Sequence, residues 1–150
     1  MNYNETIQNY LEKNNRTFDR AESGFVIRNA FENLKIDLRL DCDERGTLSL
    51  TAKLPVEARP GDTEAVITAV NAANAFANFG GFALSPADQT VRFRGYVRLR
   101  GNVEGELDYL FGRSEKTVGR FAPSLCAVCE NTLTADEFTE NLNRAYNAAK

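Results

Sequence analysis

The sequence contains no histidine among its 150 residues. Histidine is the commonest general base near neutral pH and the commonest metal ligand. Catalytic pairs of serine or cysteine with histidine, and zinc sites with imidazole ligands, therefore cannot be built from this chain. An enzyme made from these residues would depend on carboxylates, lysine, tyrosine or cysteine alone.

Cysteine is also scarce, and long apolar runs are missing. An odd count of three cysteines suits a reducing compartment better than a secreted disulfide framework. Residues 1–6 lack the basic and apolar regions of a signal peptide. No segment approaches the roughly 20 apolar residues that a membrane span requires. We therefore expect a cytoplasmic protein without membrane association.

The composition is that of an ordinary globular protein, with 43% hydrophobic and 26% charged residues. A chain of this length buries about two-thirds of its unfolded surface as one domain, so we expect a single domain over residues 1–150. The net charge of −3 argues against a general binder of nucleic acid or anionic membranes, because such proteins carry excess positive charge.

Alternation of apolar and polar residues predicts antiparallel strands. Residues 34–42 place leucine and isoleucine on one face and charged residues on the other. Residues 48–54 alternate in the same way after a loop at 43–46, where Gly46 supplies the turn. The two segments predict a hairpin whose apolar faces point to one core.

Helical spacing of apolar residues predicts four helices, over residues 5–13, 63–78, 102–129 and 135–148. Gly80 and Gly81 are expected to stop the second helix, and Pro123 to bend the third. Thr134 and Glu137 form a capping box that starts the fourth. The order of elements predicts an α+β fold with a mainly antiparallel sheet and helices packed on one face.

Three segments resemble the YbjN-like bacterial proteins. They are the helix end and strand Ala69–Leu84 (AVNAANAFANFGGFAL), the hairpin end Leu54-Pro55, and Ala122-Pro123-Ser124-Leu125 on the third helix. The resemblance covers about residues 5–130, which leaves the helix at about 135–148 as an addition. It implies a fold similar to type III secretion chaperones, which are small, often dimeric α+β proteins that bind other polypeptides without a catalytic set.

The resemblance implies a non-enzymatic protein-binding module, chaperone-like or regulatory, that forms a homodimer and binds a polypeptide of unknown identity. The face of small residues on the second helix, which includes Ala69, Ala73 and Ala77, also favours a dimer because it would let another backbone approach closely. The third helix also favours a dimer, because it is predicted to be longer than the sheet is wide.

A Cys-x-x-Cys pair, Cys126 and Cys129, is the one motif with possible redox chemistry. Thioredoxin-type pairs lie at a helix N-terminus, where the helix dipole lowers a thiol pKa. Here the pattern places both cysteines far inside a helix, so we interpret them as small core residues, with a thiol redox protein as an alternative. Three thiols without histidine are too few for structural zinc unless carboxylates complete the site. We expect neither a metal nor a cofactor.

The strongest surface feature is a run of arginines on one strand. Alternation places five side chains on its non-core face, with no acidic residue between Gln89 and Val103: Arg92, Arg94, Tyr96, Arg98 and Arg100. This face is our candidate partner-binding site, because arginine and tyrosine are common at binding hot spots. Two alternatives are a nucleic-acid site and a solvated face whose arginines pair with Asp37, Asp41 or other neighbours across strands.

Overall fold

The computed structural model describes residues 3–31 and 35–149. These residues form helices and strands with the bounds α1 (Tyr3–Lys13), β1 (Phe18–Arg20), β2 (Gly24–Ile27), β3 (Leu38–Cys42), β4 (Thr47–Glu57), α2 (Thr63–Phe76), β5 (Gly81–Leu84), β6 (Thr90–Arg98), α3 (Val103–Cys129) and α4 (Ala135–Ala148). The predicted α+β class is confirmed.

The six strands form one antiparallel sheet in the order β1-β2-β3-β4-β6-β5. The predicted hairpin is β3 and β4, with Leu38 opposite Ala52 and Leu40 opposite Leu50. All four side chains are buried. Strand β3 begins later than the alternation suggested, and Leu34, the first predicted residue, lies outside the described residues.

The chain divides into two compact units. The first comprises Met1–Lys53 and Arg94–Lys116, and the second comprises Leu54–Phe93 and Thr117–Lys150. The predicted single domain stays a prediction. No helix in the described ranges combines the length and the apolar character needed to cross a membrane.

In the first unit, α1 is attached to the beginning of α3. The apolar stripe predicted for α1, with Ile7 and Leu11, is buried. The Tyr10 hydroxyl donates a hydrogen bond of 2.6 Å to Asp108, and the Tyr10 ring stacks on Phe111 at 6.1 Å. Burial raises the pKa of Tyr10, and the bond to Asp108 raises it further. This tyrosine therefore stays protonated and keeps its donor role.

In the second unit, the small-residue face of α2 is buried. Val66, Ala69 and Ala73 have no exposed surface, and α4 packs against α2, with Tyr146 edge-on to Phe76 at 5.6 Å. The face that favoured a dimer in the sequence is therefore already covered within this unit. The prediction that it accepts a second chain loses its structural basis.

Helix α2 ends earlier than predicted. Ala77 takes an extended conformation, with φ −72° and ψ 133°, so the helix stops at Phe76 before Gly80 is reached. Asn74 lies in the last turn of α2. Its side-chain amide accepts a hydrogen bond from the Phe82 N–H (2.7 Å) and donates one to the Phe82 carbonyl (2.9 Å). One side chain thus satisfies both backbone groups of a β5 residue.

Helices α3 and α4 begin where the sequence predicts. At the start of α3, the Gly105 N–H donates to the Asn102 side chain at 3.2 Å. At the start of α4, the Glu137 N–H donates to the Thr134 hydroxyl at 3.0 Å, which confirms the capping box. Helix α3 is continuous through Pro123, and the bend there stays a prediction.

We expect Gly24→Ala to destabilise the protein. Gly24 pairs with Asp41 across β2 and β3, and a methyl group at this position would collide with the backbone carbonyl oxygen of Leu40. Overpacking of this kind costs about 1–3 kcal/mol. The free energy of unfolding from urea titration measures the loss.

Gly112→Ala is the matched control. Gly112 lies inside α3, and nothing lies within 4 Å of a methyl group placed there. Alanine in a helix is more stable than glycine by about 0.5–1 kcal/mol, so this variant should gain stability. Equal effects of the two substitutions would contradict the packing at Gly24.

Candidate functional site

The predicted arginine face lies on β6, and burial alternates along this strand. Phe93 and Gly95 are buried, whereas Arg94, Tyr96 and Arg98 are exposed. The Tyr96 side chain is 53% exposed, so its ring is accessible to a partner. We define Arg94, Tyr96 and Arg98, all in the first unit, as the cationic patch.

Within the patch, the side chains of Arg94 and Tyr96 are in contact. The Arg94 guanidinium donates to the Tyr96 hydroxyl oxygen at 3.4 Å and lies 5.9 Å from the centre of its ring. Because the hydroxyl accepts this bond, its own proton remains available to an acceptor on a partner. The pair presents several hydrogen-bond donors on one side of the strand.

The patch is not neutralised by carboxylates. Among the described residues, no acidic side chain lies within ion-pair distance of Arg94 or Arg98. In this unit the neighbouring strand β4 presents the partly exposed Ser49 and Thr51, and the exposed Lys53, on its non-core face. The patch is therefore a locally cationic surface on a chain of net negative charge.

Arg92 differs from the other predicted arginines. It belongs to the second unit and forms an ion pair of 2.7 Å with Asp88. The Thr90 hydroxyl, followed by the Arg92 guanidinium, holds the pKa of Asp88 below its usual range. The expectation that no nearby acid neutralises the arginine run is wrong for Arg92. Its partner Asp88 lies just before Gln89, where the stretch without acidic residues begins.

Arg100 also departs from the prediction. Strand β6 ends at Arg98, so alternation no longer decides on which face Arg100 lies. Its backbone N–H donates to the Glu106 carboxylate at 2.8 Å, while its side chain is exposed. Arg100 belongs to the turn before α3 rather than to the strand face.

The two aspartates proposed as alternative partners of the arginine strand are engaged elsewhere. Asp37 pairs with Arg28 at 2.9 Å, and Asp41 pairs with Arg39 at 3.0 Å. The Asn29 N–H, and then Arg28, lower the pKa of Asp37. Neither aspartate forms an ion pair with Arg94 or Arg98, and the alternative of a solvated face stays a prediction.

Cys126 and Cys129 lie in the last turn of α3, as the helical pattern predicted. Burial, followed by the neighbouring Cys129 and Glu130, raises the pKa of Cys126 to about 11. Burial likewise raises the pKa of Cys129. The negative end of a helix dipole disfavours a thiolate at this position, so the arrangement is the opposite of an activated redox pair.

The described ranges contain no cluster of metal ligands. No group of three or more histidine, cysteine, aspartate or glutamate residues there could hold a metal ion. The partner of Arg92 that the sequence prediction missed is Asp88, in the turn before β6, where Gln89 has φ 59°. Its signal in the sequence is its position four residues before Arg92, just outside the arginine run.

Comparison with known proteins identifies the fold. No family model matches this chain, and no curated protein sequence does so. The crystal structure of YbjN from E. coli, a proposed transcription regulator, superposes with a TM-score of 0.64 over 87% of this chain and 93% of YbjN, at 13% identity. The chain has a YbjN-like fold.

A second solved structure agrees with the YbjN-like fold. An uncharacterized protein from Methanothermobacter thermautotrophicus superposes with a TM-score of 0.55 over 87% of this chain and 99% of that protein, also at 13% identity. The resemblance noted in the sequence is thereby confirmed for the fold. At identities this low, the likeness shows the fold alone.

The raised thiol pKa predicts slow alkylation of Cys126. Its labelling by iodoacetamide should keep rising with pH toward about 11, whereas in urea the rate should level off above the ordinary thiol pKa of about 8.5. Peptide mapping by mass spectrometry measures both rates.

Stability should depend on the same ionisation. The pKa of the Cys126 thiol is higher in the folded than in the unfolded protein. Its contribution to the free energy of unfolding is therefore complete below about pH 8.5 and is lost as the pH rises through about 11. A plateau of Cys126 labelling in the folded protein near pH 8 would contradict the raised pKa and restore the redox interpretation.

Proposed function

We propose that the protein is a non-enzymatic binding module for another polypeptide, with a chaperone-like or regulatory role in the cytoplasm. The single observation that carries the proposal is the cationic patch, in which Arg94, Tyr96 and Arg98 are exposed on the non-core face of β6 without carboxylate partners among the described residues.

The chemistry of the patch is that of a protein-binding surface. Arginine and tyrosine are enriched among residues that contribute most to binding energy. A planar guanidinium and a phenol combine apolar contact area with directed hydrogen bonds. Arg94 and Tyr96 are already in contact, so less side-chain entropy is lost when a partner binds.

A single-stranded nucleic acid is the second candidate partner. Tyr96 lies between two arginines and is half exposed, and an aromatic ring on a cationic strand can stack on a base. Two observations favour a polypeptide instead. The chain is net negative, and the pairing of Arg92 with Asp88 shortens the cationic run that would follow a phosphate backbone.

The absence of enzymatic activity is part of the same proposal. The chain lacks histidine, and the raised pKa values of Cys126 and Cys129 keep these thiols in the weakly nucleophilic protonated form. The regulatory role is suggested by E. coli YbjN, itself a proposed transcription regulator.

Reversing the charge of the patch should abolish partner capture. We expect Arg94→Glu combined with Arg98→Glu to lose the proteins that the wild type retains from a lysate of its native host. Both side chains are exposed, so the melting temperature should change little. Affinity capture with quantitative mass spectrometry gives the readout.

Arg59→Glu combined with Lys116→Glu provides the matched control. It makes the same change in net charge at two other exposed cationic positions, so capture should be retained. Capture that is equal for wild type and for the patch variant would refute the proposal. Loss in both variants would show a net-charge effect and refute the patch as the binding site.

The homodimer stays a prediction that rests on the resemblance. Light scattering at micromolar concentration should give twice the chain mass of 16.7 kDa. The buried face of α2 does not supply the interface, so Ala69→Leu should destabilise the fold by overpacking rather than dissociate a dimer. A monomeric mass for the wild type would remove the dimer.

A further inference from the structure

Uncharged hydroxyl side chains lie beside the cationic patch in the first unit. Strand β4 pairs with β3 on one side, where Thr51 is opposite Arg39, and neighbours β6 on the other. The Leu99 N–H donates to the Gly46 carbonyl at 2.8 Å, which holds the end of β6 beside the start of β4. The non-core face of this unit therefore runs from β3 across the partly exposed Ser49 and Thr51 to the patch.

The arginines on this part of the sheet differ in their counter-charges. Arg39 pairs with Asp41 at 3.0 Å, and Arg28 pairs with both Asp19 and Asp37. In the cationic patch, by contrast, both guanidinium groups are exposed and have no carboxylate within ion-pair distance among the described residues. The patch thus offers positive charge that the described part of this unit does not compensate.

The side chains of the patch present hydrogen-bond donors. A guanidinium group has five N–H donors and no acceptor, and Arg94 uses one of its donors on the Tyr96 hydroxyl. Because this hydroxyl accepts from Arg94, its own proton is available to a partner. A carboxylate is the complementary group, because it only accepts and binds a guanidinium through two parallel hydrogen bonds.

Charge decides which polypeptides can cover this surface. A neutral or basic segment would remove water from two guanidinium groups without supplying an anion, and burial of an unpaired charge is costly. An acidic segment replaces that water with charge-assisted hydrogen bonds. Beside the patch it meets the uncharged Ser49 and Thr51 rather than carboxylates. The surface therefore favours an acidic partner.

We propose that the partner is an acidic polypeptide segment that lies on the non-core face of β6 and contacts the cationic patch through its side chains. Its carboxylates bind Arg94 and Arg98, and the Tyr96 hydroxyl donates to one of them. The two arginines are four residues apart, about 13 Å along an extended strand, so the segment carries at least two acidic residues at a comparable separation. The inference rests on the proposed function and names its partner class.

Binding of designed peptides tests the charge of the partner. The probes are fluorescent peptides of one length with glutamate, glutamine or lysine at every second position between serines, and oligo-deoxythymidine is the nucleic-acid probe. The proteins are the wild type, Arg94→Glu with Arg98→Glu, Tyr96→Phe, and the control Arg59→Glu with Lys116→Glu. Anisotropy titrations at two salt concentrations give the affinities, and circular dichroism checks that each variant is folded.

We expect the wild type to bind the glutamate peptide, and to bind it more weakly as salt rises. The glutamine peptide should bind at least about tenfold more weakly, because the charge-assisted hydrogen bonds are lost. Arg94→Glu with Arg98→Glu should reverse the preference, so that the lysine peptide binds and the glutamate peptide does not. Tyr96→Phe should weaken the glutamate peptide about threefold or more, because one donor is lost.

The control variant has the same net charge as the reversed patch and should keep the wild-type preference. Equal binding of the glutamate and glutamine peptides, or a reversed preference in the control variant as well, overturns the acidic partner at this patch. Unchanged binding by Tyr96→Phe overturns the contact of its hydroxyl. Tighter binding of oligo-deoxythymidine than of the glutamate peptide replaces the polypeptide by a nucleic acid.

Lysate capture separates failure of the inference from failure of the proposed function. If no peptide binds while capture still depends on Arg94 and Arg98, the inference fails and the proposed function stands. If capture is also independent of these two arginines, both fail.

Discussion

The two-residue period of the extended chain ties the core of this protein to its exposed arginines. On β6, the alternation that buries Phe93 also exposes Arg94 and Arg98. A slip of one residue would carry the arginines into the core and Phe93 into water. Because burial of a phenylalanine is favourable by about 1.5–3 kcal/mol and burial of an unpaired charge costs far more, the face on which the arginines lie is determined by the core.

Ion pairing then separates the arginines of the sheet into two groups. Arg92 pairs with Asp88, Arg28 with Asp19 and Asp37, and Arg39 with Asp41. These pairs are partly exposed and each contributes little to stability. They neutralise the arginines that they hold, whereas Arg94 and Arg98 have no carboxylate within ion-pair distance among the described residues.

The outer edge of β5 is closed by a side chain. Asn74 satisfies both backbone groups of Phe82 on the outer side of β5, which protects that edge from accidental pairing.

Local features of the sequence determined most of the secondary structure. The capping box of Thr134 and Glu137 marks the start of α4, and the apolar spacing that follows Asn102 marks α3 nearly residue for residue. The alternation of β3 and β4 predicted their pairing. These signals are readable because helix caps and side-chain periods depend on residues close together in the chain.

Only the tertiary structure decided which side chains have partners. The burial of the small-residue face of α2, the closure of β5 by Asn74 and the raised pKa of Cys126 all depend on what packs against them. The same is true of the cationic patch, because only the folded chain shows that Asp37 and Asp41 pair with Arg28 and Arg39. Periodicity is a property of neighbouring residues, whereas burial and pairing depend on contacts that the chain makes only when it folds.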